Sequence, residues 1–335
     1  MADKIRLEGN RLHCPFVKSH FDIFFSLVDY RNNYFTSNDT EKIIEFYNGF
    51  ENRDQLIQWM KERPKGSYTI HEVEGDKDII VVIPTADYNG KYAKECRENI
   101  FKGLHIIFVE SGGKDDFYFN YAHNCNVGIK KAMEYNPKWV VVSNDDMIKI
   151  DETSILIRSL KEMDDESVNV VLTKNNIQNS IPTVVCHLNF FGQVAVKIFS
   201  ITNVSKVYYK INSFVKSNKI NARFGNKLII SGAEGNRFFR KFFKTDYTYV
   251  NFESFGIFSS KFIKDNETLF DETYINAHED QDLAIQLSFE QTKIAYTDFK
   301  INGIGGISLG SNFVRELRTV ASDSYFNNKW KDKFS

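Results

Sequence analysis

The stretch from Asp78 to Gly90, DIIVVIPTADYNG, constrains the fold of this chain more than any other. Five consecutive apolar residues, Ile79 to Ile83, followed by Pro84 and a polar turn, read as a strand buried on both faces. Such strands belong to parallel sheets covered by helices. A helical pattern follows through Tyr92 to Ile100, and a second strand, Leu104 to Val109, ends in Glu110, Ser111, Gly112 and Gly113. A helix over about Tyr118 to Tyr135 leads to a third strand, Trp139 to Val142, which ends in Ser143, Asn144, Asp145 and Asp146. Strand, helix, strand, helix, strand with polar residues at every carboxyl end predicts an open α/β sheet, mostly parallel. Ligands of such sheets bind in the crevice beyond the carboxyl ends of the strands.

Residues 1–77 read instead as a helical N-terminal extension. Ile43, Ile44, Phe46, Tyr47 and Phe50 recur at helical spacing behind Ser37, Asp39 and Thr40, and Leu56, Ile57, Trp59 and Met60 do so ahead of Pro64 and Gly66. No chemistry is legible there, which suggests a packing or docking cap. The sheet domain is expected over 78–310, and a helical tail over 311–335. With 335 residues and 42% hydrophobic residues the chain can bury a sizeable core, which excludes disorder as its main state. The four cysteines lie far apart without a zinc spacing, so a reducing, cytoplasmic setting is expected. The opening MADKIRLEGNRLHCPF carries charges where a secretory signal needs an apolar run, and no stretch approaches the ~20 apolar residues of a membrane span.

The total of 43 basic and 44 acidic residues argues against a nucleic-acid binder, for which a strongly basic chain is expected. The balance conceals an asymmetry. From Lys197 to Lys244 eleven basic residues face the single acid Glu234, with nine aromatic residues interleaved. This basic, aromatic-rich insertion reads either as a surface meeting an anionic membrane or a phosphate-bearing acceptor, or as a solvated helix pair bordering a core.

Three constellations carry chemistry. The first is SNDD, Ser143 to Asp146, at the end of a buried strand, where two adjacent acids can hold Mg²⁺ or Mn²⁺ against a diphosphate. An acidic turn is the alternative. The second is HEDQDL, His278 to Leu283, preceded by FDETY. Three acids at a helix start exceed what capping needs, and crowded carboxylates raise one another's proton affinity, which suits one of them to general-base work. The third is FNYAHNCNVGIKKA, Phe119 to Ala132, whose asparagines and Gly128 bring amide donors and close backbone approach to the carboxyl edge.

The order IPTADYNG, FVESGG, NCNVGIKKA, VVVSNDD, GIFSS, FDETY and HEDQDLAIQL resembles that of family 2 glycosyltransferases, inverting enzymes of GT-A fold that use nucleotide-diphosphate sugars. The resemblance spans roughly Asp78 to Gly310 and implies a Rossmann-like, mostly parallel sheet flanked by helices. It further implies that Pro84, Thr85 and Asp87 contact the nucleotide, that Glu110 pairs with the base, and that Asn126 and Gly128 match the family's N-x-G. Asn144, Asp145 and Asp146 would take the D-x-D position, with Asp146 as the chief metal ligand and Asp145 assisting. Glu279 and Asp280 match the acceptor-side E-D pair, with Asp280 as the base that deprotonates an acceptor hydroxyl on a glycan, lipid-linked glycan or polysaccharide.

Three departures stand out: Asn144 and Glu110 each replace an aspartate, and KINGIGGISLG has Asn302 near the place of the family's C-terminal metal-binding histidine. A sugar nucleotidyltransferase would normally show a basic, glycine-rich turn where PTADYNGK stands. A non-catalytic carbohydrate-binding scaffold on the same fold is the remaining alternative.

Overall fold

The computed structural model describes residues 39–112, 118–173, 181–187, 222–224, 227–231, 244–251, 254–275, 277–290, 292–304 and 312–334, with 190 and 194 besides. Two helices come first, α1 (Thr40–Asn48), capped by the Asp39 carboxylate, and α2 (Arg53–Glu62), capped by Asn52. They meet through edge-to-face contacts of Phe46 and Phe50 with Trp59 of α2. Helical character ends earlier than expected for the extension. Thr69–Val73 forms β1, an edge strand antiparallel to β3 (Leu104–Glu110), and β2 begins at Asp76. TIHEV has too few apolar positions for a two-residue period to stand out.

The remaining elements are β2 (Asp76–Thr85), α3 (Lys91–Glu95) continued by a π turn (Cys96–Ile100), α4 (Tyr121–Met133), β4 (Trp139–Ser143), β5 (Met147–Lys149), α5 (Thr153–Lys161) and β6 (Val170–Thr173). Beyond them come β7 (Ile181–His187), β8 (Ala222–Phe224), β9 (Lys227–Ser231), β10 (Lys244–Asn251), β11 (Phe255–Ser259), α6 (Ser260–Lys264), α7 (Glu279–Phe289), β12 (Ile294–Thr297), β13 (Ile301–Gly303) and α8 (Asn312–Phe334).

The fold is α/β, with a seven-stranded mixed sheet in the order β1-β3-β2-β4-β11-β6-β12. Strands β3, β2, β4, β6 and β12 share one direction; β1 and β11 oppose it. The sheet is thus mostly parallel, and β11 enters it in reverse when the chain returns from the excursion after β6. Alternate residues of the central strands face opposite layers. Ile80, Val82, Val109 and Val142 meet α1, α2, α4, α7 and α8, whereas Ile79, Val81, Phe108 and Val141 meet the α3 and α5 side. Gly128 of α4 lies against this sheet: a Cβ there would stand 2.3 Å from Val82 Cγ1 and 3.0 Å from Val109 Cγ2.

The excursion carries a second sheet, fully antiparallel, in the order β10-β7-β9-β8. Strands β8 and β9 fall inside the expected basic insertion, as does the first residue of β10. The rest of 197–244, with the expectation attached to its side chains, lies outside the described residues, as do residues 1–38 of the N-terminal extension. The tail expected over 311–335 is the long helix α8. It is tied to the N-terminal extension through Tyr47, whose hydroxyl donates to the Leu317 carbonyl at 2.6 Å. Among the described residues no helix is long and apolar enough to cross a membrane.

Candidate active site

The carboxyl ends of β2, β3 and β4 converge as the sequence pattern requires. Thr85, the last residue of β2, is buried, and its hydroxyl donates to Asp145 Oδ2 at 2.6 Å. Burial pushes the Asp145 carboxyl above its ordinary value, against the pull of this bond. The Asp145 carbonyl accepts from the Cys96 thiol in the π turn at 3.2 Å, and the Asp146 carbonyl accepts from Ile304 N at 2.8 Å. A two-stranded ribbon, β5 with β13, continues from this loop and pairs Asn302 with Ile148, so the segment expected to stand in for the family's histidine does border SNDD. Pro84 is buried and paired with Val109 in the sheet; Asp87 is exposed and closes the turn into α3 by accepting from Asn89 N at 2.9 Å.

At the end of β3, Glu110 accepts from the Tyr88 amide at 3.0 Å and contacts His71 Nε2 at 2.7 Å. The Tyr88 amide, and then His71, hold its carboxyl below the usual range. The Tyr88 ring stacks on His71 with centroids 4.2 Å apart, while the Arg97 guanidinium lies over that ring at 4.7 Å. Sequence reasoning passed over His71 because it sits in the short edge strand β1.

The second acidic constellation opens α7, and Tyr121 joins it to the first. The Tyr121 hydroxyl donates to Asn144 Oδ1 at 2.7 Å, and its ring lines a small recess with Val142, Phe255, Phe258, Phe270 and Asp280. Burial, reinforced by neighbours that include Glu279 and Asp280, keeps the phenol neutral, far above its ordinary pKa. Glu279 Oε2 is buried without a hydrogen-bond partner, and burial together with the adjacent Asp280 raises this carboxyl to about 7. The third acid of the motif has a different task. Asp282 is buried and receives hydrogen bonds from Tyr274, Trp330 and Lys329 at 2.7–2.8 Å, fastening α7 to α8. Helix α7 is buried around much of its circumference: Gln281, Asp282, Leu283, Ala284, Ile285 and Leu287 all lie inside.

The FDETY loop ahead of α7 is held by distant parts of the chain. Buried Arg63, just after α2, donates to the carbonyls of Thr273 (2.9 Å), Tyr274 (2.7 Å) and Glu272 (3.3 Å). Lys329 of α8 bridges Asp271 and Asp282, each at 2.7 Å. From α4, His123 and Asn126 bind the Glu272 carboxylate, each at 3.0 Å. Asn126 also receives the Phe270 amide at 3.1 Å and donates to the Phe270 carbonyl at 2.8 Å. Asn126 is thus engaged with the 270–272 loop, and Gly128 is packed against Val82 of β2 and Val109 of β3. Neither Arg63 nor Lys329 was legible as a site residue, since their partners are more than 40 residues away and local spacing carries no trace of them.

Among the described residues no three His, Cys, Asp or Glu side chains form a group that could enclose a metal ion. Asp145 and Asp146 nevertheless fit a hard cation of the Mg²⁺ or Mn²⁺ type, which is bound through one or two carboxylates and completed by phosphate and water. Compared with known proteins, the chain matches no family model and no curated sequence.

Proposed function

We propose that the chain is an inverting glycosyltransferase of GT-A type, moving a sugar from a nucleotide-diphosphate sugar to a hydroxyl of a glycan, lipid-linked glycan or polysaccharide. The observation that carries this reading is the Tyr121 link. It sets the SNDD loop and the Glu279–Asp280 pair on either side of one tyrosine at the carboxyl edge of the sheet. A nucleotide would lie across Thr85, Asp87 and Glu110, with Glu110 facing the base once its contacts to Tyr88 and His71 open. Asp146 with Asp145 would hold a divalent cation, which when bound supplies charge compensation for the departing diphosphate.

Asp280 takes the proton from the acceptor hydroxyl as that oxygen attacks the anomeric carbon from the face opposite the leaving group. A single displacement of this kind inverts the centre. Glu279, raised to about 7, is partly protonated at neutrality, so the pair carries less than two negative charges at the acceptor side. The acceptor, or a membrane on which the protein sits peripherally in the cytoplasm, is proposed to be anionic and to meet the basic segment 197–244. Incubation with a panel of nucleotide sugars and Mn²⁺ tests the reading by release of nucleoside diphosphate. Pyrophosphate release would point to a nucleotidyltransferase, and sugar binding without turnover to a non-catalytic scaffold.

A further inference from the structure

We propose that His278 is a positioning residue acting as an imidazolium: clamped by Asp323 of α8, it orients the first turn of α7 and keeps a positive charge beside Glu279 and Asp280. The kinetic consequence rests on the proposed transfer reaction, whereas the clamp stands apart from it. His278 Nε2 lies 2.5 Å from Asp323 Oδ1, and Nδ1 lies 2.5 Å from Gln281 Oε1. Both partners present oxygens to the ring, an arrangement that is satisfied when both ring nitrogens donate, as in the cationic ring. The ring is buried, stacked on Phe326 at 4.8 Å and 27°, with the edge of Tyr274 at 6.5 Å.

Local helix physics does not explain this residue. A cation at a helix N-terminus opposes the macrodipole, and His278 makes no side-chain cap bond to α7. Its backbone, at φ 75°, occupies the left-handed region that non-glycine residues seldom enter, and it persists because the surroundings over-determine it. The surroundings are Asp323 and Phe326 from α8, Tyr274 from the preceding loop, and Glu279, Asp280 and Gln281 from α7 itself. Burial works against the charge, but the Asp323 hydrogen bond and carboxylate outweigh it and carry the imidazole up to about 8. In turn His278, with Arg63, restrains the rise that burial and Asp280 impose on Glu279.

The test uses the full chain with ¹⁵N-labelled histidine and the variants Asp323→Asn and His278→Gln. At pH 7 one imidazole should show both nitrogens protonated, with a midpoint near 8 that falls below 7 in D323N. In transfer assays H278Q should move the acid limb of the kcat/KM profile upward by about one unit while the donor KM stays unchanged. A neutral tautomer at pH 7, a midpoint that D323N leaves in place, or an unmoved acid limb in H278Q would each overturn the proposal. Should H278Q fail to fold, D323N supplies both readouts. If no nucleotide sugar is turned over, the transferase reading fails by itself, and the clamp is judged on the titration alone.

Discussion

The two acidic constellations sit on either side of Tyr121 and are built in opposite ways. SNDD is held by the sheet: it terminates a buried strand, and Asp145 is held by Thr85 at the end of the neighbouring strand and, through its carbonyl, by the thiol of Cys96 in the turn that follows α3. The start of α7 is held instead by elements outside the sheet, with Arg63 after α2 reaching the FDETY carbonyls and Lys329 of α8 reaching Asp282. A parallel sheet delivers its strand ends to one edge as a consequence of topology, so a site there needs little else. A helix laid beside that edge has no such registration and must be pinned. The N-terminal extension and the C-terminal helix do this pinning, which gives both a reason to exist beyond covering the core.

The sharpest way to break this comparison is to remove the chemistry without touching the scaffold. Asp280→Asn preserves shape, and is expected to lower transfer by ~10³-fold with the fold intact by circular dichroism, the loss typical of a missing general base. Wild-type turnover would move the base elsewhere. Lys329→Met asks the converse question. It leaves Asp271 and Asp282 facing one another with their cation gone, and should cost about 3 kcal/mol in urea unfolding, far more than an exposed ion pair would. A loss below about 0.5 kcal/mol would show that α8 does not hold α7 in the way described.

The same contrast explains what could be read from the residues alone. Strands β2, β3 and β4, helix α4 and the SNDD loop were legible because burial on both faces writes apolar runs, and the strand ends write polar turns. The position of α7 was not legible. Its acids look alike in sequence, yet Asp282 is a structural anchor whereas Glu279 keeps one buried carboxylate oxygen, Oε2, without a hydrogen bond, a distinction made by Lys329, Tyr274 and Trp330. The reversed strand β11 and the antiparallel second sheet escaped notice for a related reason, since strand direction depends on pairing partners and not on local pattern. Gly128 shows the limit in another way: a glycine placed for a nucleotide and a glycine placed for packing are identical in sequence. Gly128→Ala therefore sharpens the comparison on the sheet side. Forcing a methyl 2.3 Å from Val82 should cost about 2 kcal/mol of stability while leaving the donor KM unchanged in the surviving enzyme.

The pH dependence of stability separates the FDETY loop from the start of α7 by sign. Asp271 and Glu272 are held below their ordinary values once Lys329, and His123 with Asn126, overcome burial. Their contribution is present above the unfolded carboxylate range and is lost as pH falls through their lowered pKa values. Glu279 and His278 behave in the opposite sense, because both are raised. The contribution of Glu279 is complete below 4.5 and fades as pH rises through about 7, and that of His278 is complete below 6.5 and fades through about 8. Stability should therefore peak near about pH 5 and decline toward pH 9, with His278 accounting for about 2 kcal/mol of the fall. Thermal unfolding from pH 4 to 9 measures the curve. Asp323→Asn should remove the His278 share of the alkaline limb, keep the Glu279 share, and leave the acid limb, which belongs to Asp271 and Glu272, where it was. An alkaline limb that D323N leaves unchanged would mean that His278 does not contribute to it.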